Sequence, residues 1–288
     1  MENVGIIVDS GTDLPEDIIE KYNIKVVPLR IIINDKEYEE GSISEEFLLQ
    51  RLEDSDVKTS LPKPEAIIKA VEEFIEKGIN KIMTFNISGS MSGTYNLFKL
   101  TSESLKSKYP ELQIENIDTL NISIGAGLVA YQSIRMLEEG KTFEEVADWA
   151  KNNAKKSKIF FIIPSLKYLA KGGRIGRVSA KIGEMLNIKP IISNSDDGIY
   201  YTVSKVRGLK KAYNKVYDEF LKFVKENEYL AAVYISGVSK EVEKLQSEFY
   251  EKINHLEHSI EVFVGKLSST LTIHAGPDMF GIGALIVE

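Results

Sequence analysis

The stretch "NKIMTFNISGSMSGTYNLFKLTSESLKSKY", residues 80–109, joins an apolar run to an amphipathic one through a loop of glycines and hydroxyls. "NKIMTFNIS" reads as a buried strand and "SGTYNLFKLTSESLKSKY" as a helix. The same strand–loop–helix unit recurs on both sides. Upstream, "VGIIVDSGTD" (4–13) is a buried strand over Val4–Val8 running into a loop, and "LPEDIIEKYN" (14–23) a helix. "IKVVPLRIII" (24–33) reads as a second strand and "NDKEYEEGS" (34–42) as a turn plus an edge segment. "SEEFLLQRLE" (44–53) is a helix with Ser44 as N-cap, and "KTSLPKPEAIIKAVEEFIEKG" (58–78) a loop entering a helix through Pro64. Downstream, "LQIENIDT" (112–119) is a fourth strand, followed by amphipathic helices in "SIGAGLVAYQSIRMLEEG" and "TFEEVADWAKNNAKKS". Regular alternation to about residue 155 predicts an α/β layer on a largely parallel sheet. Ligands of such sheets sit beyond the carboxyl ends of the strands, where Asp9–Asp13 and Ser88–Thr94 fall.

The second half has another rhythm. "KIFFIIP" (158–164) reads as a strand and "SLKYLAKGGRIGRVSAKIGEMLN" (165–187) as a helical region broken at Gly172–Gly173. "IKPIISNSDDGIYYTVSKVRG" (188–208) reads as a hairpin turning at Asp196-Asp197-Gly198, so at least part of this sheet is antiparallel. A helix in "KKAYNKVYDEFLKFVKENE", a strand–helix unit in "YLAAVYISG" and "SKEVEKLQSEFYEKINH", and the closing strands "SIEVFVGKL" and "FGIGALIVE" follow. The expectation is two α/β domains, residues 1–155 and 156–288, the first with a mostly parallel sheet, the second with a mixed or antiparallel one, and a ligand between them.

Bulk properties exclude several classes. The 288 residues suffice for two ordinary domains. A net charge of -7 argues against general nucleic-acid binding. With no cysteine, disulfides, thiol catalysis and Cys-based metal sites are ruled out, and three histidines (His255, His258, His274) make a His-rich metal site an unpromising expectation. The opening "MENVGIIVDS" has no basic segment followed by a cleavable apolar one, and no run reaches transmembrane length, so a cytoplasmic protein is expected.

Four segments could carry chemistry. The first is the loop 86–96, with Ser88, Ser90, Ser92 and Thr94 between glycines. One reading is a simple connection with Ser92 or Thr94 as N-cap. The other is an anion site built from hydroxyls and free N–H groups at a helix start. No lysine follows, as a P-loop requires, and "GSMSG" is not a nucleophile elbow. Neutral donors suit a carboxylate, with Ser90 and Ser88 favoured for the ligand and Ser92 for the cap. The second segment is "KTSLPKP" (58–64), where Thr59 and Ser60 precede two prolines that hold the chain extended. The third is "HAGPDMFGIG" (274–283), whose His274 is either structural or a donor to a carboxylate. The fourth pairs "YLAKGGRIGRV" with "SKVRGLKKA". Here Lys171, Arg174, Arg177, Arg207, Lys210 and Lys211 are either a solvated surface or a docking face for an acidic partner or phosphorylated group.

In this order, "VDSGTDLP", "VVPL", "TSLPKP", "ISGSMSGTY", "DTLNISIGAGLV", "YLAKGGRIG", "IKPII…DG", "KVRGLKKA" and "HAGPDMFG" span nearly the whole chain, and the sequence resembles the DegV family of bacterial fatty-acid-binding proteins. The resemblance implies a two-domain α/β protein, without catalytic residues or cofactor, that encloses one long-chain fatty acid in an apolar tunnel, its carboxylate at the domain junction. It implies, for some members, service as the binding subunit of an ATP-dependent fatty acid kinase. There the acyl-phosphate passes to phospholipid synthesis, which allows transient contact with a membrane surface. Residue by residue, the family's Thr-Ser-Gln-Pro motif falls on Thr59 and Ser60, with Leu61 in place of Gln. Its serine pair falls on Ser88 and Gly89, with Ser90 one place later, so which serine meets the carboxylate stays open. Its C-terminal histidine falls on His274. Its partner-facing arginines fall on Arg174 and Arg207. Burial of ~16 methylenes at about 0.8 kcal/mol each is ample gross driving force for holding such a lipid. Two alternatives remain: a serine-dependent acyl hydrolase or transferase using His274, and a carrier of another small carboxylate.

Overall fold

The computed structural model describes residues 3–178 and 187–287. Among them, thirteen strands form three sheets. The first runs in the order β2 (Lys25–Val27), β1 (Val4–Asp9), β6 (Lys81–Asn86), β7 (Gln113–Asp118), and every neighbouring pair is parallel. Its β1 and β6 are buried over all but their first residue, which accounts for their continuous apolar runs. Helices Pro64–Ile75 and Thr94–Lys108 cover one face, burying Ile67, Val71, Phe74, Phe98 and Leu105 against Ile7, Ile82 and Ile114.

The second sheet is mixed, in the order β10 (Tyr200–Arg207), β9 (Ile188–Asn194), β8 (Ser157–Ile162), β13 (Phe280–Ile286), β11 (Tyr229–Ile235), β12 (Ser259–Lys266). Only its β11–β12 pair is parallel. Helices Leu209–Val224 and Lys240–Asn254 pack on its outer face. The helix Ile124–Glu138 is buried along most of its length. It lies between the two large sheets, against Ile6, Val8, Met83 and Phe85 of the first and Leu230, Ala232, Tyr234 and Leu285 of the second.

The third sheet was not expected. It is antiparallel, in the order β4 (Lys36–Glu39), β3 (Arg30–Ile33), β5 (Val57–Ser60). The run "IKVVPLRIII", read as one strand, is therefore two strands in different sheets. Pro28 has no N–H to continue a ladder, and the next N–H, of Leu29, turns to Ser10 Oγ at 2.9 Å. "KTSLPKP" is likewise not all loop: Thr59 and Ser60 end β5, opposite Ile31 and Arg30. The hairpin falls where the sequence placed it, as does Ser44 accepting from Phe47 N, whereas the short helix Ser269–Ala275 was not assigned from the sequence. Of the helical region read over 165–187, the described part holds a short helix, Lys167–Lys171; its residues 179–186 lie outside the described residues. Among the described residues no helix is long and apolar enough to cross a membrane.

Candidate functional site

Asp9, at the carboxyl end of β1, accepts from Gly11 N (3.0 Å), Ile87 N (2.9 Å) and Asn86 Nδ2 (3.2 Å), tying the first loop to the serine loop after β6. Burial pushes its carboxyl up to about 7, against these hydrogen bonds. The serine loop then coils. Ser88 N donates to Asn121 O at 2.7 Å, and Met91 N and Ser92 N both return to Ser88 O at 3.0 Å. The coil sends the three serines to three places. Ser88 is buried, donates to Gly198 O of the hairpin (2.9 Å) and accepts from Ser90 N (3.2 Å). Ser90 is exposed and lines none of the three chambers around His274. Ser92 shares a 2.8 Å hydrogen bond with Thr94 Oγ1, accepts from Thr94 N (3.2 Å), and lines a cavity. The sequence favours Ser90 and Ser88 for the ligand and Ser92 for the cap; Ser92 does accept from Thr94 N at the helix start, and it is also the one of the three that lines any of those chambers.

Across from this loop, Thr59 of β5 faces the short helix Ser269–Ala275. Thr59 Oγ1 and His274 Nε2 are 2.9 Å apart, a pair made by residues 215 apart in the chain. His274 Nδ1 is buried against Gly172 with no hydrogen-bond partner among the described residues. An orphaned N–H is harder to accommodate than an under-used acceptor, so the proton belongs on Nε2, donated to Thr59 Oγ1. The Thr59 hydroxyl hydrogen is then free to point at a ligand. Burial, and secondarily the charge of Arg174, lower the imidazole to about 4, so it is neutral near pH 7. As a nucleophile–base pair Thr59 and His274 are poorly equipped: the base is weak, and no acid orients Nδ1 among the described residues. As a hydrogen-bonding pair for a carboxylate they are well placed.

Two glycines allow this packing. A Cβ on Gly172 would lie 2.1 Å from His274 Nδ1, and one on Gly276 (φ 74°) 2.2 Å from the Tyr168 ring. The "KGG" and "HAG" segments bring the helices Lys167–Lys171 and Ser269–Ala275 together.

Three adjoining chambers meet at His274, and Thr59 lines two of them. The innermost, 60 Å³, is walled almost wholly by apolar side chains such as Met91, Ile122, Phe161, Leu271 and Met279. The middle, 220 Å³, is lined by Thr59, Ser60, Leu61, Ser92 and Thr270, and shares Met91, Ile122 and Leu271 with the first. The outer, 290 Å³, is lined by Val57, Lys58 and Thr59 on one side and Tyr168, Lys171 and Gly172 on the other. His274 and Arg174 line all three. Polarity thus falls inward, from a charged mouth where Asp56 pairs with Lys58 beside Lys171 and Arg174, through a ring of hydroxyls, to an apolar interior.

Arg174 was expected on a docking face away from the ligand. It is exposed, but its side chain is part of the chamber wall, with Nη1 donating to Gly172 O at 2.6 Å. Lys171 lines the outer chamber and donates to Ser55 O at 3.2 Å. Arg177 is taken up by a bidentate pair with Asp197, at 3.2 and 2.5 Å. Arg207 closes β10 opposite Ile188 and lines none of the chambers. Ser60 Oγ accepts from Arg30 Nη2 at 3.2 Å. Sequence reasoning missed Thr270, which donates from N and Oγ1 to Glu40 (2.6 and 2.5 Å), and Gly172, a bare glycine until His274 is seen beside it. Among the described residues no cluster of His, Cys, Asp and Glu could hold a metal ion.

The family model described as "Uncharacterised protein, DegV family" matches residues 3–287. A DegV domain-containing protein of Clostridium acetobutylicum is 34% identical over 283 residues, covering 98% of each chain. Among solved structures, a DegV family protein from Thermus thermophilus, described by its fatty acid binding, superposes with a TM-score of 0.87 at 26% identity, covering 98% of this chain and 99% of the other. A stearic acid-binding protein from Eubacterium ventriosum gives 0.86 at 26% identity, covering 99% of both. With the parallel sheet, the mixed sheet and the full-length match in hand, the chain belongs to the DegV family.

Proposed function

We propose that this protein is a carrier that encloses one long-chain fatty acid between two domains, residues 1–155 and 156–288. The acyl chain enters the apolar chamber, and the carboxylate takes hydrogen bonds from Thr59, held by His274, and from Ser92, with Ser60 in the same wall. The observation that carries this reading is the inward fall in polarity, with the neutral Thr59–His274 pair at the boundary. A buried carboxylate needs such donors, because desolvation without them costs several kcal/mol on the order given by transfer data. Fatty acid binding by similar proteins supports the same ligand class. Ligand sites for molecules of this size run to about 300–1,000 Å³. The 60 Å³ interior would widen to admit a chain, and Met91 and Met279 in its wall are unbranched side chains suited to that adjustment.

In the same reading the bound carboxylate is presented, in the cytoplasm, to an ATP-dependent fatty acid kinase subunit, and the acyl-phosphate goes on to phospholipid synthesis. Arg174 supports this as an exposed cation at the mouth, suited to a carboxylate or phosphoryl oxygen. The hydrolase alternative is not favoured, since the neighbour of His274 Nε2 is Thr59 and none of the loop serines. The test is solvent extraction of purified protein followed by mass spectrometry. A long-chain fatty acid near one equivalent is expected. Recovery of none from several expression hosts, together with no displacement of a fluorescent fatty acid, would overturn the reading.

A further inference from the structure

The polar groups in the apolar chamber are nearly all spoken for. Ser123 Oγ donates to Asp13 Oδ2 at 2.5 Å, Tyr234 OH donates to Asp13 O at 2.7 Å, and Arg174 is bonded to Gly172 O. His274 uses Nε2 on Thr59, and its Nδ1 is shielded by Gly172. Tyr200 is different. It opens β10 just after the hairpin turn, and its carbonyl accepts from Arg177 N at 2.8 Å, so the backbone is fixed. Its ring packs edge-on against Phe161 in the chamber wall, with centroids 5.1 Å apart. The residue is only 7% exposed and lines the innermost chamber but neither of the outer two. Its hydroxyl makes no hydrogen bond among the described residues and, unlike His274 Nδ1, is not sealed within the packing. A phenol in that position is an anomaly for a surface meant to hold only methylenes, because phenylalanine would fill the same space without bringing a donor to the chamber. Burial holds the phenol well above its usual range, so it remains protonated and acts as a donor.

We propose that Tyr200 makes the chamber selective for acyl chains that carry an electron-rich group along their length, which accepts a hydrogen bond from its hydroxyl. The acceptor is a hydroxyl or keto oxygen or, more weakly, the π face of a double bond. This inference rests on the fatty-acid reading of the site and goes beyond it to the class of chain. Because Tyr200 is absent from the two outer chambers, it acts on the chain and leaves the head group alone.

The experiment is competition against a fluorescent fatty acid by stearate, oleate and a series of hydroxystearates, on the unmutated protein and on Tyr200→Phe. In the unmutated protein the best hydroxystearate should exceed stearate by about 2- to 10-fold, the range of one net hydrogen bond, and oleate by about twofold. Tyr200→Phe should bring the three ligands level while holding stearate as well as before or better. A preference that survives Tyr200→Phe unchanged would overturn the assignment to this residue. Equal competition by all three ligands on the unmutated protein would overturn it without recourse to any variant. Either result would leave the fatty-acid reading standing, whereas failure of every fatty acid to compete would remove both.

Discussion

Gly172→Ala tests whether the His274 position is held as tightly as the packing implies. Gly172 has φ -76° and ψ -9°, which alanine adopts freely, so the backbone alone favours the substitution by about 0.4–1 kcal/mol through the unfolded state. The side-chain environment opposes it. The new methyl would sit 2.1 Å from His274 Nδ1, 2.7 Å from Cε1 and 3.3 Å from Tyr168 O, well inside contact distance for the ring. Overpacking of this kind costs about 1–3 kcal/mol. If the imidazole moves aside, its 2.9 Å hydrogen bond with Thr59 goes as well, at about 0.5–1.5 kcal/mol. The net expectation is destabilisation by roughly 0.5–4 kcal/mol in urea unfolding and fatty acid affinity lowered by about tenfold in competition. Gly173 is the control. It has φ 71° and nothing within 4 Å of an added Cβ, so Gly173→Ala should cost roughly 1 kcal/mol of backbone strain and leave affinity unchanged. Adding His274→Ala should recover the stability lost by Gly172→Ala, as a double-mutant cycle. The reasoning is refuted if Gly172→Ala is as stable as the parent or more so, with affinity intact.

The head-group donors should separate by position in the same competition assay. Thr59→Ala and His274→Ala should each weaken binding by about 1–3 kcal/mol and Ser92→Ala by a comparable amount, with Ser90→Ala neutral; a large effect at Ser90 alone would contradict the coil of the loop. The two arginines should also separate, read as lipid occupancy against acyl-phosphate formation in one preparation with the kinase subunit. Arg174→Glu, in the chamber wall, should lower both, and Arg207→Glu only the second; equal effects would remove the distinction. For pH, His274 falls from 6.5 to about 4 on folding, so its contribution is full above about pH 6.5 and is lost as pH drops toward 4, by roughly 3 kcal/mol at most. Asp9 and Asp13, raised from 3.8 to about 7, act in the opposite sense: their contribution is present at low pH and lost as pH rises toward 7. The stability gap between the parent and His274→Ala should therefore narrow as pH is lowered across that window, and parallel urea-unfolding profiles would rule this out.

The fold was legible where one signal sufficed. Buried β1 and β6 announce themselves as apolar runs, and Asp-Asp-Gly at 196–198 marks the hairpin that sets the antiparallel β9–β10 pair of the second sheet. It was illegible where two signals compete. Val26 to Ile33 is almost continuously apolar, which masks the break at Pro28; Pro62 and Pro64 give "KTSLPKP" the look of a loop although β5 ends just before them. The candidate site was legible in kind, a set of neutral donors, but not in arrangement. The destination of each serine depends on Asn121 and Gly198, distant in sequence, and the Thr59–His274 pair spans 215 positions with no periodicity to reveal it.

The third sheet gives the site a further property. Its segment carries three acids that reach the second half of the chain. Glu40 accepts from Thr270, Glu45 accepts from Gly237 N at 2.8 Å, and Glu53 pairs with Lys167 at 2.6 Å and with Tyr168 OH. Glu53 and Lys167 are about half exposed and add little. Glu40 is largely desolvated, which raises its carboxyl above the usual range, and takes a second donor in Ser10 at 2.7 Å. Beneath it Ile31, Ile33, Leu48 and Val57 pack against Tyr168 and Ile273. The seam between the third sheet and the helices Lys167–Lys171 and Ser269–Ala275 is therefore held by apolar contact and one half-buried carboxylate, and the outer chamber opens along it. The Thr59–His274 hydrogen bond crosses the same seam. In the proposed carrier a carboxylate bound to Thr59 would be held by groups whose distance is set by how these parts dock, so Glu40, which lines none of the three chambers, would bear on its affinity through that docking.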